Sequence, residues 1–167
     1  MQNRKWVDLL SIKIGSAVRN GLGLIAIGVM VSGVPGSALA QAVGPDLVIT
    51  AMSGPSQAVR GTVITGTLTV RNQGTEGTLF FQNGFYLSDS PTLTGWNILL
   101  DYQGVPNGLP AGASYSDIDS HITIPATSPT GNMYLVVKAD RYLVNGVIAE
   151  TNESNNTMAQ PIRILKK

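Results

Sequence analysis

The sequence predicts an all-β protein, a sandwich of seven antiparallel strands that follows a cleavable signal peptide. Charged residues make up only 13% of the 167 residues and glycines number 19, a composition typical of many short strands joined by turns. Apolar and polar residues also alternate along several segments, with turn residues between them at intervals of roughly ten residues. No helical period follows residue 41, so no α-helix is expected in the mature chain.

The first forty residues have the features of a secretory signal peptide. A basic stretch, 1–20, precedes an uncharged apolar run, 21–32, and the small residues Ala38 and Ala40 stand at the −3 and −1 positions of a cleavage site. The apolar run is shorter than the roughly twenty residues that a membrane-spanning helix needs, so an uncleaved anchor is the less favoured alternative. We therefore expect contact with a membrane only during export, and a mature protein that is secreted or periplasmic.

The alternation assigns the strands of the mature chain, in which a lead-in, 41–45, precedes one domain, 46–167. The predicted strands are 46–52, 61–72, 79–88, 96–102, 114–124, 131–142 and 157–166. Turns rich in glycine, proline, asparagine and aspartate separate them. Seven short antiparallel strands at this spacing are the pattern of an immunoglobulin-like sandwich.

Three of these strands carry specific expectations. The strand 79–88 holds all three phenylalanines of the protein and should be the central core strand. In the strand 61–72, the residues expected to face the core are Ile64, Gly66, Leu68 and Val70. In the strand 114–124, the alternation places on one face Ile118, Ser120, Ile122 and Ile124, and on the other Asp117, Asp119, His121 and Thr123.

Several classes of function lack the residues they require. The chain has no cysteine, which excludes disulfides, zinc–thiolate sites and a cysteine nucleophile. Beyond the basic first twenty residues the chain is slightly acidic and has no basic face, so no nucleic-acid partner is expected. His121 is the only histidine, and no triad, zinc-protease or phosphate-loop motif accompanies it. Asp117 and Asp119 lie on a strand surface rather than across a cleft, so we expect a protein that is not an enzyme.

The connection between the last two predicted strands concentrates side-chain oxygens. Calcium binds six to eight oxygens in proteins. Candidate ligands in this connection are Asp140, Glu150, Glu153 and Asn155, with Asp89 approaching from a neighbouring loop. No regular calcium-loop spacing is present, and the same residues also fit turn positions in which asparagines bond to main-chain amides and carboxylates are solvated. Both interpretations remain open.

Aromatic residues offer a second kind of site. Trp96 and Tyr102, with Tyr115 and Tyr142, are candidates for a platform on which a sugar ring stacks. Packing in the core or at its rim is the alternative use of these side chains.

Six segments resemble, in order and spacing, one family of bacterial domains. They are residues 45–49 (PDLVI), 67–74 (TLTVRNQG), 85–89 (FYLSD), 109–112 (LPAG), 131–135 (GNMYL) and 150–156 (ETNESNN). Together they are similar to the CARDB domain, the cell adhesion related domain found in bacteria. The resemblance implies a seven-stranded immunoglobulin-like sandwich on an exported protein that binds protein or cell-surface material through loops or sheet edges. A calcium-stabilised structural module and a small carbohydrate-binding module are the alternatives, and no cofactor other than calcium is expected.

Overall fold

The computed structural model describes residues 42–141 and 148–167. The predicted signal peptide and Tyr142 lie outside this range. Every regular element in the described residues is a β-strand: β1 Leu47–Ser53, β2 Gln57–Val59, β3 Val63–Asn72, β4 Phe81–Ser88, β5 Asn97–Val105, β6 Ser114–Thr123, β7 Gly131–Lys138 and β8 Thr157–Leu165. The described part of the chain has no helix with the length and apolarity needed to cross a membrane.

The strands form two sheets that enclose the core. The smaller sheet has the order β1-β3-β6, and the larger has the order β2-β8-β7-β4-β5. Apolar side chains from both sheets are fully buried between them: Leu47, Leu68, Val70, Phe81, Phe85, Leu87, Ile122, Leu135, Val137 and Ile164. This arrangement confirms the all-β fold and the inward face predicted for β3, where Ile64, Gly66, Leu68 and Val70 are all buried.

The strand count differs from the seven antiparallel strands predicted, because the described residues contain eight and one pair is parallel. The additional strand, β2, is only three residues long and pairs in parallel with the end of β8, where Gln57 lies opposite Arg163. After β1 the chain leaves the smaller sheet through the turn 54–56 and joins the larger one. Three residues are too few to show an alternation, and parallel pairing joins residues that are distant in sequence.

The prediction of a core strand with the phenylalanines is confirmed in part: β4 is an interior strand of the larger sheet, although the middle strand is β7. β4 pairs with β5 on one side and with β7 on the other, and Phe81 and Phe85 are fully buried. Phe80 precedes the strand and is exposed. Two of the three phenylalanines therefore form the centre of the core.

The faces predicted for β6 were wrong in its first half because the strand contains a bulge. Gly66 of β3 pairs with Ser120 and Leu68 pairs with Asp117, so Thr67 alone faces two residues of β6. An inserted residue reverses which side chains point inward. Ile118 is consequently 78% exposed rather than buried, whereas Asp117 is half-buried and accepts hydrogen bonds from the hydroxyl of Ser120 (2.7 Å) and the amide of Asp119 (3.1 Å).

Candidate functional site

The β7–β8 connection begins at Asp140, the first residue predicted as a calcium ligand. Asp140 is fully buried and has a positive φ of 43°, a conformation that aspartate tolerates better than most residues. Its Oδ2 atom accepts a hydrogen bond of 2.5 Å from the amide of Ile148. The carboxylate thus fixes the connection to the end of β7.

Glu150 ties the same connection to the first strand. Its Oε2 atom accepts a hydrogen bond from the amide of Leu47, and its Oε1 atom accepts one of 2.5 Å from the amide group of Asn156. Burial raises the pKa of Glu150 to about 7, and the nearby carboxylates of Glu153 and Asp140 add to the rise, while the two hydrogen bonds oppose it. Glu150 therefore joins three segments of the chain. Its carboxylate is partly shielded from water, which disfavours the charged form.

Glu153 and Asn155, the other two candidate ligands of the connection, are also bonded within the protein. Glu153 accepts a hydrogen bond of 3.0 Å from the amide of Glu150 through Oε1. The side-chain amide of Asn155 donates to Asp46 (2.9 Å), whose other oxygen accepts a bond from Gln73 (3.0 Å). The fold brings four of the five predicted calcium ligands to one end of the sandwich. Three of them, Asp140, Glu150 and Glu153, accept hydrogen bonds from amide groups, and Asn155 donates one to a carboxylate.

Asp89, the fifth predicted ligand, belongs to the β4–β5 loop. Its amide donates to the carbonyl of Trp96 (3.0 Å), and its carboxylate packs so closely on Gly95 that a Cβ added there would lie 2.1 Å from Oδ1. Residues of this loop and of the β7–β8 connection line a polar cavity of about 320 Å³ that includes Lys138 and Glu153. Among residues 42–141 and 148–167, no three acidic or histidine side chains are grouped so that they can hold a metal ion.

A further residue, Asn72 at the end of β3, organises this end of the sandwich. It is completely buried, and its Oδ1 atom accepts hydrogen bonds from the amides of Asp46 and Gly74, both 3.1 Å long. Its Nδ2 atom donates to the carbonyls of Glu76 (2.7 Å) and Leu109 (3.0 Å). The sequence alone did not single out Asn72, because partners 26 and 37 residues away leave no local pattern.

His121 lies on the exposed side of β6. Its Nδ1 atom is 3.0 Å from the carbonyl oxygen of Asp119, a contact within one strand. The bulge separates Asp117, half-buried, from Asp119, which is exposed. The two aspartates therefore do not share a face.

The second surface of interest lies along β5, which is an edge strand of the larger sheet. We define the β5 surface as four side chains along this sheet edge that are between 36% and 49% exposed: Trp96, Ile98, Leu99 and Tyr102. Ile98 lies opposite the buried Leu87, so it is on the other face of the sheet from Leu99 and Tyr102. A bulge in β5 places Leu99 opposite Tyr86 and Tyr102 opposite Gly84, so both lie on the outer face of the sheet. Trp96 lies just before the strand, on the order of 20 Å from Tyr102 at ~3.3 Å per residue, so one sugar ring cannot stack on both.

Arg141 orders the Tyr102 end of the β5 surface. Its guanidinium carbon lies 4.4 Å from the centroid of the Tyr102 ring, and its Nε donates to the side chain of Gln82 (3.1 Å). Gly84 lies below, and a Cβ added there would approach Tyr86, Arg141 and Leu99 to within 2.8–3.1 Å. Tyr86, Arg141 and Leu99 therefore pack over Gly84 on the outer face, and only glycine leaves them enough space there. The other aromatic candidate, Tyr115, instead packs half-buried against the core.

Comparison with known families and structures gives one family and a set of similar folds. The CARDB family model matches residues 44–160. A CARDB domain from Pyrococcus furiosus, crystallised in complex with di-metal ions, has a TM-score of 0.52 at 18% identity and covers 73% of this chain and 90% of that chain. The solution structure of that domain has a TM-score of 0.45 at 16% identity, covering 74% and 98% of the two chains.

Part of a larger enzyme also matches this chain in structure. The β-glucosidase from Listeria innocua in complex with isofagomine has a TM-score of 0.48 at 14% identity, covering 74% of this chain and 16% of that chain. This chain thus spans about a sixth of the enzyme's length, and at this identity the likeness concerns the fold alone. No curated protein matches the sequence.

Proposed function

We propose that this chain, which belongs to the CARDB family and folds as a β-sandwich, is an exported, non-catalytic binding module. The family model matches residues 44–160. Its ligand is protein or cell-surface material, which it engages through the β5 surface. The observation that supports this proposal is a row of exposed apolar side chains along β5, which has a partner strand on one side only among the described strands.

An open edge strand normally carries features that prevent other strands from pairing with it, such as charges or prolines. β6, the edge of the smaller sheet, follows this rule with Asp117, Asp119, His121 and three serines. β5 does not, since Asp101 is its only charged residue and Ile98, Leu99 and Tyr102 are exposed along it. An exposed apolar patch that the fold could have avoided is typical of an interaction site.

The composition of the β5 surface also fits an interface. Tryptophan, tyrosine and arginine contribute most of the binding energy in protein complexes. Arg141 is already held against Tyr102 and Gln82, so little side-chain entropy remains to be lost when a partner binds there.

The experiment compares two charge substitutions in β5 with a matched control. Leu99→Lys and Tyr102→Lys place a charge on the β5 surface, and Ile118→Lys places the same charge on the more exposed apolar residue of β6. We expect both β5 variants to lose roughly tenfold or more of their binding to an isolated cell-envelope fraction, and Ile118→Lys to retain it. Equal binding by all three proteins would contradict the proposal.

A calcium-stabilised module is a second candidate, favoured by the convergence of Asp140, Glu150, Glu153 and Asn155 at one end of the sandwich. The similar Pyrococcus furiosus domain was crystallised with di-metal ions. Thermal unfolding after EDTA treatment, with and without about 1–5 mM Ca²⁺, tests this candidate. A stabilisation of several degrees by Ca²⁺ but not Mg²⁺, lost in Glu153→Gln, would support it. If Ca²⁺ does not change the unfolding temperature, these side chains have only the structural hydrogen bonds described above.

A further inference from the structure

The strands β2 and β3 follow one another in the chain but belong to different sheets, and a cleft lies between them. They are joined by a turn in which the amide of Thr62 donates to the carbonyl of Val59 (3.2 Å). The volume of the cleft is about 540 Å³, within the range of ~300–1,000 Å³ typical of ligand pockets. Its apolar lining comes from Pro55, Ala58, Val59, Ile64 and Leu165.

The edge of β3 that borders the cleft is an unpaired strand edge. β1 pairs with β3 only as far as Thr67, after which the chain crosses to the larger sheet. The first part of β3, Val63–Gly66, therefore has a partner strand, β6, on one side only among the described strands. A further strand can pair there in the position that β1 would occupy if it were longer.

Main-chain hydrogen-bonding groups of β3 point toward this empty position. The amide of Ile124 donates to the carbonyl of Thr62, just before β3 begins (2.9 Å). Because the bonds of an antiparallel pair alternate along each strand, Ile64 bonds to β6, and the N–H and C=O groups of Val63 and Thr65 point to the opposite side. An added strand would bond to these groups, and its residue opposite Ile64 would point into the cleft.

Three cations lie next to residues of the lining, in the chain or across the β2–β8 pair: Arg60, Arg163 and Lys166. Arg163 and Lys166 are exposed, and Arg60 is half-buried and donates to a main-chain carbonyl (3.4 Å). The lining and these cations belong to the segments 54–66 and 159–167, which contain no aspartate or glutamate.

Carboxylates of the neighbouring strands lie farther away. Asp119 stands four positions before the end of β6 that adjoins the turn of Arg60, which is about 13 Å at ~3.3 Å per residue. Asp89 follows β4, and β4 is three strand spacings from β2 in the larger sheet, or about 14 Å. Its carboxylate packs on Gly95. The charge at the cleft is therefore complementary to an acidic ligand.

We propose that the cleft binds an extended acidic segment of another protein, which adds a strand beside Val63–Gly66. The main chain of the segment bonds to the free edge of β3, as in other complexes in which a peptide extends a sheet. An apolar side chain opposite Ile64 enters the cleft, and carboxylates of the segment face Arg163 and Lys166. An acyl chain with a carboxylate would match the lining and the cations, but it would leave the main-chain groups of β3 unbonded.

The test uses the compact unit Leu39–Lys167, which contains every core residue of the described chain. The terminal carboxylate of this unit adjoins Lys167 and offsets its charge. The ligand is a pool of peptides about eight residues long, with aspartate at both ends and threonine alternating with valine, isoleucine, leucine or phenylalanine between them. The pool is dialysed against about 200 µM protein, and mass spectrometry compares the peptide concentrations on the two sides.

We expect some aspartate peptides to be enriched roughly twofold or more on the protein side, as for a Kd near the protein concentration. The same pool with lysine in place of aspartate should not be enriched. Laurate is dialysed separately as the acyl alternative. Absence of any enriched aspartate peptide would overturn the proposal, and enrichment of laurate in that case would assign the cleft to an acyl ligand.

The most enriched peptide then tests main-chain pairing by fluorescence anisotropy. Val63→Pro removes an N–H group that points away from β6, a position at which an edge strand tolerates proline. Val63→Ala keeps this N–H group and removes only the exposed side chain. We expect binding to weaken roughly fivefold or more in Val63→Pro and to stay unchanged in Val63→Ala.

N-methylation of alternate peptide residues tests the same bonds with the unmodified protein, and it remains decisive if Val63→Pro does not fold. The methyl groups remove main-chain donors of the peptide and leave its side chains in place. One of the two methylation patterns should weaken binding roughly fivefold or more. Binding that neither pattern weakens would refute strand addition.

Three further variants locate the site. Arg163→Glu should weaken peptide binding roughly threefold or more, and Arg71→Glu, the same change at the far end of β3, should leave it unchanged. Tyr102→Lys alters the β5 surface and should also leave it unchanged, so this inference and the proposed function can fail independently. Loss of peptide binding in Tyr102→Lys, or equal losses in the two arginine variants, would overturn the assignment to the cleft.

Discussion

Replacing Asn72 with alanine should destabilise the protein strongly although no apolar contact of the core is removed. The substitution leaves four main-chain groups without their side-chain partner: the amides of Asp46 and Gly74 and the carbonyls of Glu76 and Leu109. A neutral hydrogen bond contributes about 0.5–1.5 kcal/mol net, and a buried group left unpaired costs more. The carbonyl of Leu109 keeps a second bond from the amide of Thr78, which reduces the loss.

The expected decrease in the free energy of unfolding is about 3–4 kcal/mol, a large part of the ~5–15 kcal/mol typical of a domain. Urea unfolding followed by circular dichroism measures it. Asn132→Ala, at an exposed asparagine of β7, is the matched control and should change stability by less than about 0.5 kcal/mol. If the free energy of unfolding of Asn72→Ala were within about 1 kcal/mol of that of the unmodified protein, Asn72 would not hold Asp46, Gly74, Glu76 and Leu109 together as described.

The remaining predictions concern the core, the bulge and the buried carboxylate. Leu68→Ala and Leu135→Ala should each lower the free energy of unfolding by about 2–5 kcal/mol, and unchanged urea midpoints would refute the inward faces of β3 and β7. Ile118→Ala should cost less than about 0.5 kcal/mol, since this side chain is exposed by the bulge, and a large loss would place it in the core. The pKa of Glu150 is about 7 in the folded protein, above its ordinary value of 4.5, so protonation stabilises the fold and this stability is lost as the pH rises through about 7. Glu153→Gln keeps an oxygen that can accept the bond from the amide of Glu150 but removes the like charge, so it should lower the pKa of Glu150 and reduce the loss of stability between pH 5 and pH 8. An unchanged pH profile would contradict that coupling.

Part of the fold could be predicted from patterns within short segments of the sequence. The inward face of β3 followed from apolar residues at every second position, and the interior place of β4 in its sheet followed from its phenylalanines. A bulge breaks the period of two without a sequence signal, so the exposure of Ile118 was not foreseen. The short parallel strand β2 depends on β8, which lies about a hundred residues later, and has no local signature.

The bonding partners of the candidate ligands were not foreseen from the sequence. The sequence placed Asp140, Glu150, Glu153 and Asn155 in one connection. It could not show that Glu150 accepts a bond from Leu47, 103 residues away, or that Asn155 bonds to Asp46, 109 residues away. These contacts depend on β1 and β8 beginning at the same end of the sandwich, which is a property of the whole fold.

The β5 surface is central to the proposed function, and site-specific photo-crosslinking tests it most directly. A photoreactive phenylalanine analogue replaces Tyr102 in one variant and Ile118 in a second variant. Each variant is produced in cells of the source organism, and the cells are then irradiated. We expect a crosslinked adduct from position 102 and none from position 118. Adducts from position 118, with none from position 102, would show that the partner binds elsewhere on the sandwich.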